Sequence, residues 1–173
     1  MKTIKYIIAG FICAFVMNNQ AQAMGEKSIV EIAVGSKDHT TLVAALKAAD
    51  LVTTLSGKGP FTVFAPTNAA FGKIPADALA NLLKPENKAT LSGILTYHVV
   101  AGNVDAATLT GMIKKGNGSV MLKTVNGQEL KASIENGKVV ITDAKGGKAT
   151  VIVADLKGSN GVIHVTDAVS MPK

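Results

Sequence analysis

Few residues in this sequence have the type and spacing needed for acid–base, metal or nucleophilic chemistry. Its three histidines are His39, His98 and His164, and none lies three or four residues from another or from a paired carboxylate. Zinc and metal-hydrolase sites on helices show that spacing, because such ligands share one helix face. We therefore expect no metal site. His39 lies in a polar loop and should be exposed, whereas His98 and His164 lie in apolar strand sequence and should be hydrogen-bonded core residues.

The sequence also offers no activated nucleophile and no phosphate-binding loop. A catalytic serine is often presented in a Gly-x-Ser-x-Gly turn, and this pattern does not occur here. The nearest equivalent, around Ser159, has the composition of an ordinary turn. The glycines at positions 116–118 and 146–147 do not open a helix after a strand, so they do not predict phosphate binding. We expect a protein that is not an enzyme and that uses no cofactor.

The N-terminus is typical of an export signal. Lys2 and Lys5 precede an apolar run at residues 7–17, and Ala21-Gln22-Ala23 supplies the small residues of a signal-peptidase site. The run is well short of the ~20 residues that span a bilayer, which disfavours a membrane anchor. Cys13 lies inside the run, which disfavours lipidation of that cysteine. We predict a cleaved signal peptide at residues 1–23 and a secreted mature chain, periplasmic or extracellular, at residues 24–173.

Charge and composition disfavour a nucleic-acid partner. The formal net charge of +6 falls to +4 when Lys2 and Lys5 are removed, since 6 − 2 = 4. All basic residues are lysines, they are scattered, and aromatic residues make up only 4% of the chain. Nucleic-acid readers need clustered basic side chains with aromatic residues that stack on bases. A solvated basic surface is the favoured interpretation, and weak attraction to anionic polymers or lipid head groups stays open.

One segment, residues 59–71, is expected to organise the fold. Phe61, Val63 and Ala65 alternate with Thr62 and Phe64, which predicts a strand buried on at least one face and ended by Pro66. Thr67 or Asn68 can then cap a helical turn that folds Phe71 back onto the strand. The mature chain has no cysteine for a disulfide, so this apolar segment must contribute much of the core.

Around this segment the pattern changes from helical to extended. A capping box of Ser28 and Glu31 predicts a first helix. Further helices are expected near residues 42–49, from 75 to 83 and around 91–95, the last turning extended at Tyr97. The glycines at 111, 116 and 118 suggest a mobile loop at residues 108–113. Exposure of Met112 and Ile113 in it would suit an apolar ligand, although their burial in the core is the plainer account. From residue 119 onward, period-two alternation and two Asn-Gly turns predict a meander of strands. Helices followed by strands indicate the α+β class.

Three elements together resemble the fasciclin (FAS1) family. Residues 59–71 are similar to the family's first signature, residues 159–169 to its second, and Tyr97-His98 to its Tyr-His element. The resemblance covers the chain after its N-terminal segment and implies a single FAS1 domain at 24–173, a twisted β-sandwich or wedge with a helical layer packed against it. The signature residues that carry it are Phe61, Thr62, Phe64, Ala65, Pro66, Thr67, Phe71, Asn160, Gly161, His164 and Asp167.

The resemblance also implies a function. FAS1 modules act as non-catalytic exported proteins in cell adhesion or in surface and extracellular-matrix interactions, with protein or polysaccharide partners and with self-association where two surfaces are joined. The alternative is a carrier or binder of an apolar small molecule, carotenoid-like or lipid-like. Tyr97-His98 is either an interaction motif or a packed structural pair. We favour the structural role, because Val99 and Val100 continue a buried strand.

Overall fold

The computed structural model describes residues 27–173, so the predicted signal peptide lies outside the described residues and stays a prediction. Among those residues, no helix is both long and apolar enough to cross a membrane. The helices are α1 Ile29–Gly35, α2 Thr40–Ala48, α3 Val52–Leu55, α4 Asn68–Phe71, α5 Ala76–Leu82, α6 Lys88–Tyr97 and α7 Ala106–Lys115. The strands are β1 Phe61–Pro66, β2 Val99–Ala101, β3 Ser119–Lys123, β4 Glu129–Glu135, β5 Lys138–Thr142, β6 Lys148–Gly158 and β7 Gly161–Thr166.

The strands form one strongly curved sheet in the order β2-β1-β7-β6-β5-β4-β3. The central pair β1 and β7 is parallel, and every other neighbouring pair is antiparallel. A bridge between Val100 and Thr124 brings the two ends of the sheet together, so the sheet nearly closes on itself. All seven of these helices precede the meander of β3 to β7. The predicted α+β wedge with a helical layer is therefore confirmed.

Strand β1 separates two apolar cores. Val63 and Ala65 face a cluster formed with α1, α2 and α6, whereas Phe64 faces a second cluster that includes Tyr97 and Leu109. Successive side chains of a strand point to opposite faces, so a strand between two cores must be apolar on both. This explains why nearly all of β1 is buried and why the strand itself contains two phenylalanines, Phe61 and Phe64.

Local sequence signals position several elements as predicted. Ser28 and Glu31 form the capping box of α1, with the Ser28 backbone N–H donating to Glu31 Oε2 at 2.7 Å. Thr67 caps α4 by accepting the Ala70 N–H at 3.2 Å. The Asn-Gly turns join β3 to β4 and β4 to β5, and Gly127 and Gly137 have positive φ values of 89° and 76°. Positive φ is the reason such turns select glycine.

The prediction of a mobile loop at residues 108–113 is wrong, because these residues belong to α7. Asp105 caps this helix by accepting the Thr108 N–H at 2.8 Å. Leu109 and Ile113, four residues apart, are both buried in the second core. Met112 packs partly against the same core, so both residues contribute to the core, as the plainer account of them expected. Packing of this apolar face outweighs the low helix propensity of Gly111.

Candidate functional site

The two signatures lie side by side as the parallel pair β1 and β7. Their register places Phe61 beside Gly161, Phe64 beside His164 and Pro66 beside Thr166. Segments about a hundred residues apart in the chain therefore form the centre of the fold. The signatures could be found from sequence, but nothing local indicated that they pair.

The polar side chains of the signatures are engaged inside the protein. Thr62 is fully buried, and its Oγ1 donates to the Gly102 carbonyl at 2.7 Å and accepts the Val104 N–H at 2.8 Å. Asp167 Oδ1 accepts the Thr150 N–H at 2.7 Å, which ties the end of β7 to β6. These groups satisfy backbone atoms that would otherwise be buried without a partner.

His164 is a core histidine, as expected. Its ring stacks on Phe64 with centroids 5.6 Å apart. Nδ1 accepts the Asp155 N–H at 3.4 Å, so the proton lies on Nε2, which donates to the Val104 carbonyl at 2.8 Å. Both ring nitrogens are therefore used to hold β6, β7 and the segment before α7 together.

Asn160 connects three parts of the chain at the start of β7. Its Oδ1 accepts the Ile29 N–H at 3.0 Å, and its Nδ2 donates to the carbonyls of Leu55 and Gly57 at 2.8 and 2.9 Å. The side chain thus fixes the start of α1 and the end of α3 beside the sheet. Loops without regular structure need such side-chain partners for their backbone groups.

The Tyr-His element is buried at the end of α6. Tyr97 is 0% exposed, and its hydroxyl donates to the Glu129 carbonyl and accepts the Ala144 N–H, both at 3.0 Å. His98 was placed in strand sequence, which is wrong: it has helical backbone angles and follows α6 as its C-terminal cap. Its two ring nitrogens bond the Ile94 carbonyl at 2.8 Å and the Ser170 N–H at 3.0 Å. Neither side chain is accessible to a partner in this fold.

Replacing Tyr97 by phenylalanine should lower the free energy of unfolding by about 2 kcal/mol, because two part-buried hydrogen bonds to the backbone are lost. The ring would still fill the second core, so we expect the variant to fold. Urea unfolding followed by circular dichroism measures the change. A variant as stable as the unmodified chain would show that the two hydrogen bonds add nothing.

His39 is buried, in contrast to the expected exposure. A short 3-10 turn at Lys37–His39 turns its ring toward the sheet below α1, and only 5% of the residue remains exposed. Nδ1 lies 2.8 Å from Ser36 Oγ, and Nε2 has no hydrogen-bond partner among the described residues. Burial lowers the pKa of His39, opposed by the Asp38 charge and the Ala65 carbonyl. The polar residues next to His39 in the sequence had indicated exposure instead.

Burial of His98 and His39 should make the fold sensitive to mild acid. Burial lowers the pKa of His98, while the Ile94 carbonyl and the Asp143 charge raise it less. An unfolded histidine titrates near pH ~6.5, so between that pH and the lower folded pKa the unfolded chain binds more protons. The stabilisation is therefore complete above pH ~6.5 and decreases as the pH falls, by up to about 1.4 kcal/mol per pH unit for each histidine.

We expect the urea midpoint to decrease as the pH is lowered from about 7 to about 5. It should decrease less in a His98→Gln variant, whose side chain takes up no proton. The pKa values of Glu31 and Asp105 are lowered from their ordinary values of 4.5 and 3.8. Protonation of these carboxylates therefore affects the stability of the fold only in stronger acid. Equal slopes in the two proteins would exclude His98 as a source of the effect.

The two larger grooves of the described residues and one apolar stretch lie on the outside. The signature groove, about 680 Å³, is lined by residues 56–60, 157–162, Asn103 and Asp105. The meander groove, about 740 Å³, lies on the outer face of β3, β4 and β5. Strand β6 pairs with β5 only through residues 148–150, and farther along it exposes Ile152 (49%) and Val153 (45%). Sequence reasoning singled out none of the three surfaces.

Residues 27–173 contain no group of three or more metal-ligating side chains. Ser159 lies exposed in the turn between β6 and β7, where its backbone N–H donates to the Lys27 carbonyl at 3.0 Å. Within the described part of the chain, no histidine or carboxylate is hydrogen-bonded to its hydroxyl.

Comparison with known proteins agrees with the architecture. A model of the fasciclin domain matches residues 37–172. Protein sll1483 of Synechocystis sp. is 49% identical over 154 residues, which cover 89% of this chain and 78% of that protein. Immunogenic protein MPB70 of Mycobacterium bovis is 35% identical over 156 residues, 87% of this chain and 72% of that protein.

A solved structure shows the same fold. It is a FAS1 domain pair from the insect cell adhesion molecule fasciclin I, with a TM-score of 0.73 and 21% identity. The match covers 83% of this chain and 50% of that chain. Together with the family match over most of the sequence, these findings show that the chain belongs to the fasciclin domain family.

Proposed function

We propose that this chain is a non-catalytic, exported FAS1 module that mediates cell adhesion or other interactions with surface and extracellular-matrix material. The observation that carries the proposal is the internal use of the signature residues. Thr62, Tyr97, Asn160 and His164 are engaged with other parts of the same chain. The features left for a partner are exterior surfaces, which suits binding rather than chemistry.

Two further observations support this function. The fold neighbour is described as a cell adhesion molecule, which suggests the same general role here. The apparent export signal would bring the mature chain outside the cytoplasm, where surface material lies. Joining two surfaces takes two binding sites or self-association. The exposed Ile152 and Val153 on the open edge of β6 are where we would place self-association, because an unpaired apolar edge favours strand pairing.

The experiment is a bead assay with protein purified after export. Coated beads should retain cell-envelope or matrix polymers from the source organism more strongly than beads coated with an unrelated protein of similar charge. The unrelated protein controls for general basic attraction, which a net positive chain would show in any case. Equal retention on the two kinds of bead would contradict the proposal.

The alternative function, binding of a carotenoid-like or lipid-like molecule, has one observation in its favour. His39 lines an apolar cavity of about 20 Å³ below α1, and a second cavity of about 20 Å³ adjoins the same Ala33, Ala65 and Ile163. Ligand pockets usually hold ~300 Å³ or more, so α1 would have to move to admit such a molecule. Native mass spectrometry with an absorbance spectrum, on gently purified protein, tests this function. A co-purifying apolar ligand would support it over adhesion.

A further inference from the structure

We propose that the meander groove binds anionic polysaccharide, with Lys123, Lys131 and Lys173 as its cationic contacts. The inference rests on the proposed binding function and names both a surface and a partner class for it. The groove is defined by its lining residues, Met121, Lys123, Gly127, Gln128, Glu129, Lys131, Thr142, Asp143, Ala144 and Lys173.

Strand register brings the lysines together on one face. Met121 lies opposite Lys131, Lys123 lies opposite Glu129, and Lys131 also lies opposite Thr142. Residues paired in this way share a face of the sheet, so Lys123 and Lys131 are diagonal neighbours about 7–8 Å apart. Their ammonium groups stand over the same concave surface.

The charges of the groove favour an anion. The ion pairs of the described residues join Lys88 to Asp50 and Lys148 to Glu135, so the three groove lysines take part in none. The carboxylates of the groove are Glu129 and Asp143. The carboxylate of Asp143 is turned inward, where it accepts the backbone N–H groups of residues 145, 147 and 171. The groove therefore holds three ammonium groups against the carboxylates of Glu129 and the inward-turned Asp143, a small excess of positive charge.

The groove wall is held in place before any ligand arrives. The Lys173 N–H donates to Gln128 Oε1 at 3.1 Å, and two residues earlier the Met171 N–H donates to Asp143 Oδ2 at 2.8 Å. The Gln128 N–H is fixed in turn by Asn126 Oδ1 at 2.9 Å. A site with a fixed backbone loses less conformational entropy on binding.

The side chains of the groove select polysaccharide among anionic polymers. It holds no aromatic residue and the chain has no arginine, so the platforms on which nucleic-acid bases stack are missing. A membrane surface would require a broad apolar face, whereas Met121, 54% exposed, is the one large apolar side chain in the groove. One apolar contact for a sugar ring, polar groups at Gln128 and Thr142 and several lysines fit a charged glycan.

The test uses exported protein, immobilised dextran sulfate and neutral dextran of equal length. We expect binding to dextran sulfate alone, weakening as salt rises, and a loss of about tenfold in a Lys123→Gln, Lys131→Gln double variant. The matched control is Lys58→Gln with Lys157→Gln, which removes the same charge from the signature groove. The control should change affinity less than about threefold, and both variants should unfold at the unmodified urea midpoint.

The other outcomes overturn the inference in distinct ways. Equal losses in the two double variants would indicate a diffuse basic surface, and a larger loss in the control would move the site to the signature groove. Binding to phosphatidylserine vesicles without binding to dextran sulfate would assign the lysines to lipid. If coated beads retain native material while dextran sulfate is not bound, this inference fails and the proposed function stands. If dextran sulfate is bound in the groove while coated beads retain no more native material than the control beads, this inference stands and the proposed function fails.

Discussion

Replacing Gly161 by alanine should destabilise the fold by about 3 kcal/mol or more, because the added methyl group would overlap backbone atoms. A Cβ at this position would overlap the Phe61 carbonyl oxygen and would lie 2.9 Å from the Phe61 carbonyl carbon and 3.0 Å from its backbone nitrogen. All three atoms belong to the backbone of β1, which cannot move without disturbing the central parallel pair. The contact between the two signatures therefore requires glycine.

The matched control is Gly111→Ala. Gly111 lies inside α7, and an added Cβ there meets no atom within 4 Å. Alanine is the better helix former, so this variant should gain about 0.5 to 1 kcal/mol. Urea unfolding of both variants beside the unmodified chain gives the comparison. A Gly161→Ala protein that unfolds at the unmodified midpoint would mean that β1 and β7 do not approach this closely.

Replacing Asn160 by alanine should lower the free energy of unfolding by about 2 to 3 kcal/mol. The substitution removes three hydrogen bonds at once, to Ile29, Leu55 and Gly57, and leaves a gap where the helices meet the sheet. Each bond contributes about 1 kcal/mol, and the partly buried backbone groups lose their partners. Thermal or urea unfolding measures the loss.

Two further variants make this result specific. Asn103 is exposed and, like Asn160, lines the signature groove, but its side chain has no hydrogen bond among the described residues. Asn103→Ala should therefore change stability by less than about 0.5 kcal/mol. Asn160→Asp keeps the acceptor for the Ile29 N–H but loses both donated bonds, and it should be destabilised as well. Similar stability of Asn103→Ala and Asn160→Ala would contradict the bridging role of Asn160.

The local elements were predictable because each has a nearby physical cause. The capping box at Ser28 and Glu31 starts α1, and Asn-Gly turns permit the positive φ values that join β3, β4 and β5. The strand from Phe61 to Pro66 was likewise visible as an apolar segment ended by proline. Only its burial on both faces depended on the rest of the fold.

The errors arose where tertiary contacts decide. The glycines near α7 suggested a loop, although Asp105 as a cap and the spacing of Leu109 and Ile113 would have indicated the helix. His39 is buried because the turn before α2 directs its ring inward, which its polar neighbours did not suggest. His98 ends α6 and is followed directly by the β-branched residues of β2, so the sequence placed it in the strand.

The meander groove was only half visible in the sequence. The first Asn-Gly hairpin fixes which residues face each other, so Lys123 and Lys131 could have been assigned to one face of the sheet. Lys173 reaches the same groove through its own N–H bond to Gln128 and the bond of the nearby Met171 N–H to Asp143, and no local signal predicts that placement. The scattered lysines of the sequence thus become neighbours only in three dimensions.

Buried motif residues such as Tyr97 are expected to stabilise the fold, whereas the outer face binds the partner. The most direct test measures folding and binding in the same samples. Urea midpoints and dextran sulfate affinities would be determined for Tyr97→Phe and for the Lys123→Gln, Lys131→Gln pair. We expect Tyr97→Phe to lose stability and, while folded, to bind like the unmodified chain, and the lysine pair to keep stability and lose about tenfold in affinity. A folded Tyr97→Phe protein that no longer binds would contradict this division of roles.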